Sequence, residues 1–311
     1  MIKYFDFEKD IEKIDTTISS LKDEDPNSKK INELNNEKKQ LFIKIYSKLN
    51  AWQKVQVSRH SERPHTLDYV KNIFKNVIFL HGDKKYADDS AIIGGFATIN
   101  NKSVVFMGTE KGNTMETRIK HNFGMAKPEG YRKAQRLILL AEKFNLPVIS
   151  FVDTAGAFPG KDAEERGQSE SIASSIMYFL KIKTPTISVI IGEGGSGGAI
   201  GIATSDRVLM LEHSTYSVIS PEGCASILWR STNFSQEAAN TLKLTAEDCK
   251  KFNIISEIIP ELPGGAHRNF NEQANILEKS LVKNLDDLAN YNITNLVAIR
   301  KNKYLNITSD I

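Results

Sequence analysis

The sequence predicts a layered α/β domain with helical additions at both ends. From about residue 86 short β-branched runs alternate with helical stretches, and the first fifty residues carry apolar side chains at helical spacing. The 311 residues are enough for one large α/β domain with a sizeable core. With 40% hydrophobic and 25% charged residues, the composition is that of a folded chain and excludes wholesale disorder. A net charge of +3 does not by itself imply a nucleic-acid partner. Two cysteines, Cys224 and Cys249, exclude a multi-bridge scaffold and a four-thiolate zinc site. No run approaches the ~18–20 apolar residues of a membrane span. The N-terminus MIKYFDFEKD is acidic and lacks an apolar core, so neither a signal nor a transit peptide is predicted and the expected location is cytoplasmic.

The elements follow in order. Ile11, Ile14, Ile18 and Leu21 step by three and four, and Ile31, Leu34, Leu41, Ile45 and Leu49 continue after the turn at Asp25-Pro26-Asn27-Ser28. Residues 1–50 therefore read as a helical hairpin, and because Lys38 interrupts the second stripe, as a docked extension rather than an autonomous coiled coil. The main domain is assigned to 51–290, with strands in AIIGGFATI, KSVVFMGT, LPVISFVDT, TPTISVIIG, RVLMLE and STYSVIS. PEGYRKAQRLILLAEKFN predicts an amphipathic helix with Pro128 in its first turn and Leu137, Leu140, Ala141 and Phe144 on one face. KDAEERGQSESIASSIMYFLK predicts one helix whose leading acids suit the helix dipole. NEQANILEKSLVKNLDDLANY predicts another, packed on the domain or on a partner, and residues 291–311 form a helical tail.

Chemistry concentrates in VIIGEGGSGGAIGI, where a strand runs into five glycines within seven residues and then a small-residue helix. Glycines let a ligand approach the main chain, and a helix start offers unpaired N–H groups. Three readings stand. Gly192-Glu193-Gly194-Gly195-Ser196-Gly197 satisfies a dinucleotide-binding GxGxxG, with Glu212 placed for a ribose, although the following helix is short for such a crossover. Gly194-Gly195-Ser196-Gly197-Gly198 also satisfies a nucleophile elbow, with Asp206 and His213, or Glu222 and His267, as triad partners to Ser196. Alternatively the glycines are an oxyanion hole in their own right. A second segment, PVISFVDTAGAFPGKDAEERGQSESIA, repeats strand, glycine turn (Gly156, Gly160) and helix, so two turns at neighbouring strand ends would flank one cleft.

DTAGAFPG, KDAEERGQSE, VIIGEGGSGGAIGI and STYSVISPEGCASILW together resemble the carboxyltransferase alpha subunit of the multi-subunit acetyl-CoA carboxylase of bacteria and plastids. AWQKVQVSRHSERPHTLDYV, HGDKKYADDSAIIGG, RIKHNFGMAKPEGYRKAQRL and PGGAHRNF resemble further stretches of that family in the same order. The resemblance implies a crotonase-like fold, a spiral of β-β-α units. It implies transfer of a carboxyl group from carboxybiotin, held on a separate biotin carboxyl carrier protein, to acetyl-CoA, giving malonyl-CoA. It also implies a beta subunit in an α2β2 assembly, which brings the zinc and most of the acetyl-CoA pocket, and no metal in this chain.

On this reading the N–H groups of Gly197 and Gly198 stabilise the ureido oxyanion, and Gly194 and Gly195 shape the turn. Gly156, Ala157 and Phe158 lie on the carboxybiotin side, and a side chain at Gly198 is expected to enter the space of the ureido group. Ala155 and Phe158 stand where the family usually has proline and tyrosine. Residues 111–136 hold seven basic side chains against two acidic ones, which makes Arg132, Lys133 and Arg136 candidates for coenzyme A phosphates, with RNA as another possible ligand. His60, His65, His81, His121, His213 and His267 show no metal-ligand spacing and read as structural, and Glu164, Glu165 and Glu170 read as helix-start acids.

Overall fold

The computed structural model describes residues 3–26 and 28–309; Asn27 of the predicted turn and the last two residues of the predicted tail lie outside them. The chain opens with α1 (Lys9–Glu24) and α2 (Lys29–Tyr46), followed by α3 (Ala51–Ser58), α4 (Thr66–Ile73), β1 (Lys75–Phe79), β2 (Ile92–Ile99) and β3 (Lys102–Thr109). Next come α5 (Met115–Lys120), α6 (Pro128–Phe144), β4 (Val148–Thr154), α7 (Lys161–Glu165), α8 (Gln168–Lys181), β5 (Thr186–Gly195) and α9 (Ser196–Ala203). The rest comprises β6 (Arg207–Leu211), β7 (Thr215–Ser217), α10 (Pro221–Trp229), α11 (Ser235–Leu242), α12 (Ala246–Lys251), β8 (Glu257–Ile259), α13 (Phe270–Ala289) and α14 (Ile293–Leu305).

One sheet runs β1-β2-β3-β4-β5-β6-β8, antiparallel through β3 and parallel from there on. Its parallel strands are apolar on both faces because both are covered, which explains runs such as VISFV and ISVII. Phe106, Ile149, Phe151, Val189 and Leu209 point to one core layer with Leu277, Leu281 and Leu285 of α13, and Tyr69 and Val70 of α4. Met107, Val148, Val152, Ile190 and Met210 point to the other, with Leu137, Ile138 and Ala141 of α6, and Ala199 and Ile202 of α9.

β5 forks. Ile187–Ile190 pair with β6, whereas Glu193–Gly195 pair with β7. The fork is wedged by Arg63, 1% exposed, whose Nε donates to the Ile191 carbonyl at 2.8 Å while its other nitrogens bind Glu261 and Ser214.

The N-terminal hairpin docks on the body. Ile11, Phe42 and Tyr46 pack with Val57 of α3, Lys38 pairs with Asp15 at 2.6 Å across the hairpin, and buried Glu8 accepts from Tyr46 Oη (2.9 Å) and Arg268 (3.1 Å). Lys38 thus joins the two helices rather than merely breaking a stripe. At the other end Arg300 of α14 is fully buried: it binds both oxygens of Asp206 at 2.8 and 2.7 Å and donates to the carbonyls of Phe179, Ile182 and Thr184.

Three expectations need correction. The helix drawn over 161–181 is broken at Gly167, which sits at φ +80° and separates α7 from α8. The buried face of α6 is Tyr131, Ala134, Leu137, Ile138 and Ala141; Phe144, near the left-handed Asn145 cap, is 54% exposed and touches Phe96 edge-on. The glycines Gly194 and Gly195 belong to β5 and do not form the turn.

Candidate active site

The two glycine segments meet at the carboxyl ends of β4 and β5, the end of a parallel sheet where ligands commonly bind. The strands advance unequally there. Val152 pairs with Ile190 and Thr154 with Gly194, so β5 takes four steps where β4 takes two. The surplus is closed by the side chain of Asp153: a Cβ on Gly192 would lie 2.3 Å from its carboxylate, and Glu193 N–H donates to it at 3.0 Å. Gly194 and Gly195 have to be glycines for packing reasons, since a Cβ would strike the Tyr216 ring at 2.7 Å or the Ala155 carbonyl oxygen at 2.2 Å.

The reversal from β5 into α9 occurs at Ser196, at φ +50°. Gly197 and Gly198 follow in the first helical turn, where N–H groups have no intrahelical acceptor. Gly197 has only Ile172 near its missing Cβ, at 3.6 Å. Gly198 is buried, and its missing Cβ faces the main chain of Gly156 and Ala157 at 2.5–2.8 Å. A side chain at Gly198 therefore enters the facing turn and not an open ligand space, which corrects the expectation above. That facing turn is itself held: Thr154 Oγ1 donates to the Gly156 carbonyl at 2.7 Å and accepts the Gly156 N–H at 3.1 Å. Phe158 N–H donates to the Ala126 carbonyl at 2.9 Å, and Lys127 Nζ lies 4.7 Å from the Phe158 ring centre.

Beside the turns lies a cavity of about 290 Å³ whose lining includes Arg59, His65, Lys111, Arg118, Ala155 and Glu193. Asp153, behind it, is 1% exposed and receives Lys111 Nζ at 2.7 Å and His65 Nδ1 at 2.9 Å. Burial alone would push the Asp153 carboxyl up, but the Lys111 ammonium and the His65 ring hold it well below the usual carboxylate range. Lys111 also binds Glu193 at 2.8 Å, and Arg59 bridges Glu193 (2.6 Å) and Glu222 (2.5 Å). This network was not visible as a local motif, because its members come from five separate segments.

The other candidates fall elsewhere. Asp206 is bound to Arg300 and to Thr186, Glu222 to Arg59, His213 packs on Tyr46, and His267 stacks on His60 with ring centres 3.9 Å apart. No hydrogen bond joins Ser196 to a histidine among the described residues, so neither triad assembles. Glu212, the ribose candidate, accepts from Glu261 N–H, and α9 is only eight residues long. Of the phosphate candidates, Lys133 is buried with its ammonium on Asp88 and the Asp89 carbonyl; Arg132 and Arg136 each donate to a carbonyl, of Arg166 and His81. Lys133 is thus removed from that role. Glu164 and Glu170 lie in the first turns of α7 and α8, and Glu165 pairs with Lys161. Among the described residues no group of three or more His, Cys, Asp or Glu is placed to hold a metal, and no helix is long and apolar enough to cross a membrane.

A family model described as acetyl co-enzyme A carboxylase carboxyltransferase-like matches residues 4–308. The chain belongs to that family. It is 51% identical to the acetyl-coenzyme A carboxylase carboxyl transferase subunit alpha of Agrobacterium fabrum, covering 99% of both chains, and 46% identical to that of Pelagibacter ubique, covering 99% of this chain and 85% of the relative. Its fold resembles the beta subunit of P. aeruginosa geranyl-CoA carboxylase (TM-score 0.57, 15% identity, 81% of this chain and 45% of that one). It also resembles transcarboxylase 12S (TM-score 0.53, 18% identity, 67% and 40%). The chain therefore spans less than half the length of those two solved chains. The fold shared with these carboxyltransferases is the crotonase-like one.

Proposed function

We propose that the chain is the alpha half of an acetyl-CoA carboxylase carboxyltransferase and moves a carboxyl group from carboxybiotin, borne on a separate carrier protein, to acetyl-CoA to give malonyl-CoA. The observation that carries this reading is the contact between the 155–157 turn and the first turn of α9 in a chain that matches alpha-subunit relatives end to end. The first-turn amides of α9 are unpaired donors at a helix start, suited to an oxygen that gains negative charge. Such donors need no matched pKa and no reorganisation during reaction, which fits a site whose nearby acids are all ion-paired. Biotin supplies the transferable carboxyl group and a ring nitrogen basic enough, once freed, to take the methyl proton of acetyl-CoA. The chain's part is to bind and orient: Gly197 and Gly198 present N–H groups to the ureido oxygen, and Gly156, Ala157 and Phe158, in the turn packed against them, complete the same wall on the carboxybiotin side.

The two glycine turns supply one wall of a cleft, and the acyl-CoA side falls to a beta subunit in an α2β2 assembly, which also brings the zinc. The test is malonyl-CoA-dependent carboxylation of biocytin by the chain alone and with its beta partner. Turnover is expected only from the pair; robust turnover by the chain alone refutes a shared site.

A further inference from the structure

The seam between β4 and β5 carries more charge than two parallel strands require. Asp153 is the one charged side chain of β4, and Lys111, His65 and the Glu193 N–H converge on its carboxylate. From there the links run through Lys111 to Glu193, through Arg59 to Glu222, and so join the ends of β3, β4 and β5 to α10. Buried ion pairs seldom exceed well-packed apolar groups in stability, because desolvation takes back most of the Coulomb gain. Their better-attested use is to fix one arrangement among several.

What they fix here is the unequal advance of the two strands. The extra residues of β5, Gly192 and Glu193, are held against β4 by the Asp153 side chain, and the next residues along each strand are the two turns that meet at Gly156 and Gly198. We propose that Asp153 and Lys111 are positioning residues for carboxyl transfer: together they set the offset of β5 against β4, and through it the placement of the first-turn amides of α9 opposite the 155–157 turn. The inference rests on the carboxyltransferase reading. Charge complementarity supports it. Burial opposes ionisation of both Lys111 and Asp153, and each is held in its charged form by the other, by Glu193 for the lysine and by His65 for the aspartate.

The test uses the chain reconstituted with its beta subunit. Asp153→Asn keeps an acceptor for Glu193 N–H but loses the charge; Lys111→Met removes the cation. Each is expected to lower kcat at least about tenfold, as misplacement of reacting groups does, with KM for biocytin changed less than about threefold. Lys111→Arg is expected to recover much of the loss, since the adjoining cavity has room for a guanidinium.

A pH profile separates positioning from bulk structure. Asp153 is faced by Lys111, His65 and Glu193, with the Arg63 guanidinium also acting on it, while the nearby Tyr69 phenol is kept neutral by burial. Without the ammonium, burial raises its carboxyl, so the acid limb of kcat in Lys111→Met moves to higher pH than in the wild type. Should the buried variants fail to fold, Glu193→Gln, at the cavity edge, keeps its N–H on Asp153 but breaks the link from Lys111 to Arg59, and is expected to show the same split between kcat and KM. Folded variants with kcat within threefold of wild type and an unmoved acid limb overturn the proposal. An inactive wild-type pair overturns instead the carboxyltransferase reading on which it stands.

Discussion

Gly198 faces Gly156 so closely that a Cβ on Gly198 would stand 2.5 Å from the Gly156 carbonyl carbon and 2.7 Å from Ala157 N. The two turns touch main chain to main chain, and neither neighbour is the flexible end of a side chain that swings aside.

Gly198→Val is therefore expected to damage stability as well as rate, because it drives the turns apart. Overpacking of this kind costs roughly 1–3 kcal/mol, and loss of one oxyanion donor roughly 10²–10³ in turnover. Gly197→Ala is the contrast, since its methyl meets only Ile172 at 3.6 Å. It is expected to fold with near-normal stability, so any loss of rate is local. Urea denaturation and turnover of the reconstituted pair read both effects, and a normal Gly198→Val would remove this contact from the argument.

Ser196 carries a left-handed backbone at φ +50° in the position of a nucleophile elbow, yet it has no base. Ser196→Ala is expected to lose less than about tenfold in rate, roughly 1.4 kcal/mol. Ser196→Gly relieves the strained conformation and should stay within about 1 kcal/mol of wild-type stability. A fluorophosphonate probe should leave the residue unlabelled. A dead Ser196→Ala would show that the hydroxyl has a chemical role.

Arg300 ties the last helix to the sheet. Arg300→Met leaves the Asp206 carboxylate and the carbonyls of Phe179, Ile182 and Thr184 without their cation. Breaking a buried pair from one side costs about 3–5 kcal/mol, so chemical denaturation should show a loss of that order. A change below about 1 kcal/mol would mean that Asp206 finds water or another partner.

The stacked rings of His60 and His267 give the fold an acid limit. Burial, then the neighbouring His60, Arg268 and Arg63, lowers the His267 pKa to about 2, and burial also lowers that of His60. An unfolded histidine titrates near 6.5, so between these values the unfolded chain binds more protons. The stability from this pair is present above about pH 6.5 and is lost as pH falls below it. Thermal melts from pH 7.5 to 5 should show a falling midpoint, and His267→Phe should flatten the slope; an unchanged slope would place the acid sensitivity elsewhere.

Much of the α/β order was legible because parallel strands covered on both faces are continuous apolar runs, and because α6 begins with Pro128 and ends at Asn145. β1 was not, since KNVIF is an edge strand exposed along most of its length, with little more than Val77 and the Phe79 ring turned to the core, too few residues to make a pattern. The break at Gly167 was hidden inside a helical pattern that runs on either side of it. At the site, the glycine turns were visible as composition, whereas Arg59, His65, Lys111, Asp153 and Glu193 meet only after folding. One signal was available: a carboxylate in VISFVDT has to find a cation once the strand is buried.

The fork in β5 gives its glycines an unexpected mechanical character. A stretch with the composition of a hinge is hydrogen-bonded to β4 on one edge and to β7 on the other, with Arg63 filling the gap at Ile191. The amides of Glu193–Gly195 should then exchange with solvent on the timescale of global opening and not of local fraying. That wall of the cleft is an anvil, and the adjustment that admits or releases a substrate falls to whatever closes against it.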